Sequence, residues 1–78
     1  MTTPSIGRAV HYVGQGGACR AAIVTEVEQA SVAAGQNRVG LAVFEPHIVQ
    51  QIGLILGGAG YDDAERPREG SWHWPERV

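Results

Sequence analysis

Short segments that alternate between apolar and polar residues, separated by glycine-rich turns, constrain the fold of this 78-residue chain most strongly. In the segment GRAVHYV (7–13), Val10 and Tyr12 fall on one face and His11 on the other, and CRAAIVTEVEQ (19–29) alternates in the same way. A period of two is the pattern of a half-buried β-strand. The sequence GQGGA between the two segments is typical of a turn, because glycine accepts positive φ angles. Residues 7–29 therefore predict a β-hairpin with a glycine-rich loop.

Two further segments are predicted to be strands. The segment RVGLAVF (38–44) follows a connector of small residues, ASVAAGQN (30–37), and ends before Pro46, which cannot donate to a strand ladder. The segment SWHW (71–74) places both of its tryptophans on one face and its histidine on the other, and Pro75 ends it. Both segments are short, as strands in small β domains are.

The segment HIVQQIGLIL (47–56) fits two interpretations. Its apolar residues match a helical face and also a period of two, and its β-branched content together with Gly53 favours a strand. As a strand it would direct one set of side chains inward: Ile48, Ile52, Leu54 and Leu56. Val49 and Ile55 would then face outward. Because exposed apolar patches tend to mark protein contacts, we expect a homo-oligomer with residues 48–56 near its interface.

Five short strands without a clear helix favour a mainly β domain, specifically a small five-stranded SH3-like barrel. We expect one domain over residues 7–78 and a flexible N-terminal arm over residues 1–6. In a barrel of this kind the last strand commonly pairs with the first. That pairing would explain why Trp72 and Trp74 lie so near the end of the sequence.

Composition excludes several classes of protein. The formal net charge is −2, and the charged residues are mixed along the chain, without the basic patch that duplex nucleic-acid binding requires. Cys19 is the only cysteine, so no intrachain disulfide can form. The first twenty residues lack the apolar core of a signal peptide, and no apolar stretch approaches the length of a membrane helix. We therefore expect no membrane partner.

No motif for phosphate or metal binding stands out. Gly14-Gln15-Gly16-Gly17 lacks the Gly-Lys-Ser/Thr sequence of a P-loop and is better explained as a hairpin turn. The three histidines, His11, His47 and His73, show none of the paired spacings of a structural zinc site. The expectation is therefore that the protein uses no metal and no cofactor.

Catalysis is also disfavoured. The candidate nucleophiles are Ser5, Ser31, Ser71 and Cys19, and none lies in a nucleophile-elbow pattern. The acids Asp62, Asp63 and Glu65 lie in a proline-containing loop, where charged residues are usually solvated. We therefore expect that the protein is not an enzyme.

The aromatic, histidine and arginine side chains near the paired first and last strands indicate a ligand site. An indole face beside guanidinium groups suits a nucleotide, because a base stacks for about 1–3 kcal/mol and arginine grips phosphate through two hydrogen bonds. The predicted ligand-binding residues are Arg8, His11, Tyr12, Arg66, Arg68, His73 and Trp74. Trp72 is expected to be core, and the alternative is that both tryptophans merely close the barrel.

Four stretches of the chain resemble a group of short, uncharacterised proteins of tailed bacteriophages and prophages. The stretches are IGRAVHYV, CRAAIVTEV, VGLAVF and SWHWPERV. Those proteins share a G-R-x-V-H-Y start, an R-x-A-I second strand and a T/S-W-H-W-P-E ending, of which the ending is the most specific part. Residues 45–60 depart from that pattern, being more apolar. The resemblance implies a phage-encoded protein made in the bacterial host cytoplasm, and it implies no activity.

Two functions remain as expectations. The first is a non-enzymatic phage accessory protein that binds and sequesters a small nucleotide-like ligand, in the manner of an anti-defence sponge. The second is a structural or interaction protein of the phage particle, either a decoration or an assembly module, which would place it in the virion.

Overall fold

The computed structural model describes residues 4–75 and contains five β-strands and one short α-helix. The elements are β1 (Ala9–Val13), β2 (Cys19–Val27), α1 (Gln29–Ala33), β3 (Val39–Phe44), β4 (Val49–Ile52) and β5 (Trp72–His73). Neighbouring strands are antiparallel and form one sheet in the order β4-β3-β2-β1-β5. The mainly β fold with five strands is therefore confirmed. Within residues 4–75, no helix is long and apolar enough to span a membrane.

The first two strands form the predicted hairpin, with Val13 opposite Cys19 at its turn end. A 3₁₀ helix over Gln15–Gly17 makes the connection. Gly16 and Gly17 have φ angles of 78° and 82°, which residues with a side chain rarely adopt. Glycine is therefore required by the turn geometry at these two positions.

The connector predicted over residues 30–37 overlaps the helix α1, which begins at Gln29, and this corrects the expectation of a domain without a clear helix. Ser31 anchors the helix: its Oγ donates to the carbonyl of Glu28 at 2.7 Å and accepts from the backbone N–H of Arg38 at 2.8 Å. A helix of five residues is too short to show a helical period in sequence, and this is why the pattern did not reveal it.

Residues 47–56 form a strand only at Val49–Ile52, and a 3₁₀ helix over Leu54–Leu56 follows Gly53. The strand interpretation is thus correct for the first part of the segment and wrong for the second. The prediction that Ile48 faces inward is also wrong, because it lies before an edge strand and is 65% exposed. Ile52 packs against the core, as predicted.

The outward-facing residues of this segment are as predicted. Val49 is 62% exposed and Ile55 is fully exposed. Leu54 is half-buried, and the side chain of Leu56 lies outside the part that the structure describes.

The predicted pairing of the first and last strands is confirmed. His11 lies opposite His73, and Tyr12 lies opposite Trp72. Because side chains alternate between the faces of a sheet, this register separates the two pairs. Tyr12 and Trp72 face the core, and the histidines face the other way.

The segment 59–61 connects β3 with β5 at one end of the sheet. The backbone N–H of Val39 donates to the carbonyl of Ala59 at 3.0 Å. On the other side of the segment, the N–H of Trp72 donates to the carbonyl of Gly60 at 2.9 Å. The sheet is therefore bridged at that end even though β4 and β5 are not neighbours.

The core lies on the inner face of this curved sheet and centres on Trp72, whose relative exposure is 0%. The fully buried members of the core cluster are Val10, Ala22, Val24, Val39, Leu41, Val43, Ala59 and Trp72. The indole N–H of Trp72 donates to the carbonyl of Asn37 at 2.8 Å, so the one polar atom of this side chain is satisfied. The expectation that Trp72 is core is confirmed.

The predicted N-terminal arm extends over residues 1–6, of which residues 1–3 lie outside the described part of the chain. Pro4 is buried, and the carbonyl of Ser5 accepts from the N–H of Arg8 at 3.1 Å. The last residues of the predicted arm therefore contact the domain.

Candidate ligand-binding surfaces

The residues predicted to bind a ligand are divided by the sheet into separate groups. His11 and His73 lie on the outer face, where their rings meet edge-on with centroids 5.4 Å apart. Tyr12 lies on the opposite face and packs against the core. The first and last strands thus bring the two histidines together and keep Tyr12 away from them.

Arg8 and Trp74 form a second group. The guanidinium carbon of Arg8 lies 5.0 Å from the centroid of the Trp74 ring, within cation–π range. The ring of Trp74 also contacts Trp72 edge-on, with centroids 5.1 Å apart. Trp74 is therefore half-buried, as a residue at the rim of the core should be.

The loop arginines do not join either group. Arg68 pairs through its Nε with the Oδ2 of Asp62 at 3.2 Å, and its side chain is 85% exposed. Arg66 is exposed in the same loop. Neither arginine lines the cleft beside His73, so the predicted closure of Arg66 and Arg68 over a ligand there is not seen within residues 4–75.

The cleft beside His73 has a volume of about 490 Å³ and lies between the sheet and the loop after β4. Its lining residues are Val13, Gly17, Cys19, Tyr61, Asp63, Ala64, Glu65, Pro67, His73 and Trp74. The charged side chains in this set are carboxylates. The cleft therefore favours cations over phosphate groups.

The acidic loop that covers the cleft is held by its own hydrogen bonds. The hydroxyl of Tyr61 donates to the Oδ2 of Asp63 at 3.1 Å. Burial, followed by this hydrogen bond and the negative charge of Asp63, raises the pKa of Tyr61 above its ordinary value of 10.0. Tyr61 therefore remains a neutral hydrogen-bond donor, and it orients the Asp63 carboxylate.

Asp62 fixes the start of the same loop. Its Oδ2 accepts from the backbone N–H of Arg68 at 3.1 Å, and its Oδ1 accepts from that of Ala64 at 3.1 Å. These two hydrogen bonds, with the Arg68 side chain, hold the pKa of Asp62 below its ordinary value of 3.8. Both hydrogen bonds thus favour the ionised form of Asp62.

Three potential metal ligands, His11, Cys19 and His73, form a group that we call the His–Cys cluster. The Sγ of Cys19 lies 3.6 Å from the Nδ1 of His11 and 3.3 Å from the Nε2 of His73. The ligand atoms of all three residues lie within 4.8 Å of one another. Three adjacent strands, β5, β1 and β2, each contribute one residue. The group combines a thiol with two imidazoles on one sheet face.

Cys19 was not predicted to belong to this group, because the prediction was based on the spacing of potential ligands along the chain. Cys19 is 8 residues from His11 and 54 residues from His73, and neither spacing resembles a metal motif. The usable signal was the hairpin register, which places Ala21 opposite His11. Cys19 lies two residues before Ala21 and therefore shares its face.

A third surface lies along β4. A groove of about 880 Å³ is lined by Gln15, Gly16, Arg20, Glu45, Pro46, His47, Ile48, Val49, Gln50 and Gln51. Next to it, Phe44 is 46% exposed and lies opposite Val49 in the register. The two charged groups of the groove neutralise each other, since the Nε of Arg20 lies 3.0 Å from the Oε2 of Glu45. The groove thus combines the apolar side chains of Ile48 and Val49 with polar ones, and its Arg20–Glu45 ion pair is neutral overall.

No protein-family model, no curated protein and no solved structure matches this chain. The resemblance to phage proteins remains a prediction from the sequence.

Proposed function

We propose that the protein is a non-enzymatic interaction protein that associates with a second copy of itself through the edge strand β4. The observation that carries the proposal is the exposed apolar surface of Phe44, Ile48 and Val49 beside an edge strand that has no neighbour on its outer side among residues 4–75. Exposed apolar patches of this kind mark protein contacts in small domains.

The composition of β4 supports the same proposal. Natural edge strands are commonly protected from pairing by lysine, proline or an inward-pointing charge. The strand has the sequence VQQI, which contains no charge and no proline. Two copies of β4 can therefore pair by their backbones, while the apolar side chains next to them are removed from water.

The role that we propose for this association follows from the resemblance to phage proteins. That resemblance suggests a decoration or assembly module of the particle, in which the protein would act as a pair of copies. Copies of one chain that meet through identical edges form a closed dimer with twofold symmetry.

Sedimentation velocity at increasing protein concentration tests the proposal. Wild-type protein should sediment as a dimer or larger species at micromolar concentration. Val49→Lys should sediment as a monomer, because it places a charge in the contact where burial without a partner is costly. Ile6→Lys is the matched control. Ile6 is also a largely exposed apolar residue, but it does not line the β4 groove, so this variant should associate as wild type does.

A second candidate function, binding of a nucleotide-like ligand, rests on Arg8 and Trp74. Arg8 lies over the indole ring, and among residues 4–75 it forms no ion pair with a carboxylate. A guanidinium beside an aromatic ring can hold a phosphate while a base stacks nearby. This candidate retains the sequestering role predicted for a phage accessory protein in the host cytoplasm.

Calorimetric titration with cyclic dinucleotides, cyclised ADP-ribose products and mononucleotides tests this candidate. Arg8→Gln and Trp74→Ala should each weaken any binding seen with the wild type. Arg66→Gln serves as the comparison, because Arg66 is exposed in the loop outside the cleft lining. The absence of heat with every ligand would exclude the candidate and leave self-association.

A further inference from the structure

We propose that the His–Cys cluster is a binding site for a divalent transition-metal ion of the zinc class. The ligands are the Nδ1 of His11, the Sγ of Cys19 and the Nε2 of His73. The site is on the outer face of β5, β1 and β2, whereas the β4 groove is lined by other residues. The proposal therefore does not depend on self-association.

The two sulfur-to-nitrogen distances within the cluster match those around one shared ion. Zinc binds thiolate at about 2.3 Å and imidazole nitrogen at about 2.0–2.1 Å, and tetrahedral geometry then separates the sulfur from each nitrogen by about 3.5 Å. The sulfur of Cys19 lies 3.6 Å and 3.3 Å from the two imidazole nitrogens. The sulfur is thus at coordination distance from both nitrogens, and the nitrogens, which lie within 4.8 Å of each other, would approach a shared ion by rotation of the imidazole side chains.

The chemistry of the ligands selects the class of ion. Thiolate and imidazole suit zinc and copper, whereas calcium and magnesium prefer oxygen ligands. The three side chains come from adjacent strands whose register holds His11 directly opposite His73. The ligands are therefore positioned before the ion arrives, and this reduces the ordering cost of binding.

The surroundings complete the site. Cys19 is exposed, and the cleft that it lines with His73 gives an ion a route from solvent. Asp63 and Glu65 line the same cleft, and their negative charges attract a cation. With three protein ligands, the fourth position of a tetrahedral site is left to water.

Isothermal titration of the intact, reduced protein with Zn²⁺ alone tests the proposal. Wild type should bind one equivalent per chain, and Cys19→Ala and His73→Ala should each weaken binding by at least about tenfold, since even indirect support of a ligand is worth that much. His47→Ala is the matched control, because His47 lies in the β4 groove and should leave the affinity unchanged. Circular dichroism of each variant verifies that it is folded.

Two independent readouts identify Cys19 as a ligand. Cobalt(II) added to wild type should give a sulfur-to-metal charge-transfer band that Cys19→Ala lacks, and Zn²⁺ should slow alkylation of the Cys19 thiol by iodoacetamide. Absence of Zn²⁺ binding to wild type would overturn the proposal. Equal affinity in wild type and folded Cys19→Ala would overturn it as well, because the ion would then not use the thiol.

Discussion

At the scale of single residues, Trp72 and Trp74 differ although they lie only two positions apart in the sequence and their rings touch. Trp72 is completely buried and its indole N–H is hydrogen-bonded to Asn37. Trp74 lies at the rim, with its ring between Trp72 and the guanidinium of Arg8. The difference arises because β5 ends at His73, so that the chain leaves the core before Trp74.

The first prediction concerns these two tryptophans. Trp72→Ala should reduce the free energy of unfolding by about 3–5 kcal/mol, because it leaves a cavity in the core. A loss of that size is a large part of the stability of a small domain. Trp74→Ala should cost clearly less. Urea denaturation followed by circular dichroism compares the two, and equal losses would mean that Trp74 is also a core residue.

The second prediction concerns Gly40, which faces Glu26. A Cβ atom at Gly40 would lie 2.6 Å from the Cγ of Glu26, whose Oε1 accepts from the N–H of Leu54 at 2.9 Å. Gly40→Ala should therefore displace Glu26 and lose that hydrogen bond. In a Glu26→Ala background the obstacle is gone, and alanine should stabilise the strand by about 0.5–1 kcal/mol over glycine.

A double-mutant cycle of Gly40→Ala and Glu26→Ala measures this coupling by urea denaturation. Additive effects of the two substitutions would contradict the close approach of Gly40 and Glu26.

At the scale of elements, the hairpin and the third strand could be predicted because alternation and glycine turns report on local geometry. The helix α1 could not, because its five residues depend on hydrogen bonds of Ser31 to both flanks. The sequence of residues 47–56 fitted both a helical period and a period of two. In the structure, the strand β4 ends before Gly53 and a 3₁₀ helix follows it. The secondary structure was thus predicted correctly where the sequence showed a single periodicity.

The third prediction concerns the loop that Asp62 organises. Because hydrogen bonds from the backbone of Arg68 and Ala64 lower the pKa of Asp62, its ionised form stabilises the folded state. That contribution is complete well above the ordinary pKa of 3.8, and it is lost as pH falls through the lower pKa of the folded state.

Thermal unfolding of wild type and Asp62→Asn between neutral and strongly acidic pH tests this. Wild type should be the more stable at neutral pH, and the difference should disappear in acid. Glu65→Gln, an exposed change of charge in the same loop, should show little difference at any pH. A constant difference between wild type and Asp62→Asn would show that ionisation of Asp62 does not matter.

At the scale of the whole molecule, the sheet order explains which parts of the candidate sites could be foreseen. Pairing of the first and last strands was predicted, and it brings His11 to His73. The same register directs Tyr12 to the core, and Asp62 holds Arg68 away from the cleft. Cys19 lies near the two histidines because of the register between β1 and β2, and this register cannot be derived from the spacing of the residues along the chain.

Within the described residues, the sheet order also leaves β4 with β3 as its one neighbour, and in the proposed dimer a second copy of β4 occupies its open side. Amide hydrogen exchange of wild-type protein at low and high concentration tests this most directly. We expect amides of residues 49–52 to become more protected as concentration rises, while those of β1, which has neighbours on both sides, do not change. Exchange at residues 49–52 that is independent of concentration, in a protein that remains monomeric, would contradict it.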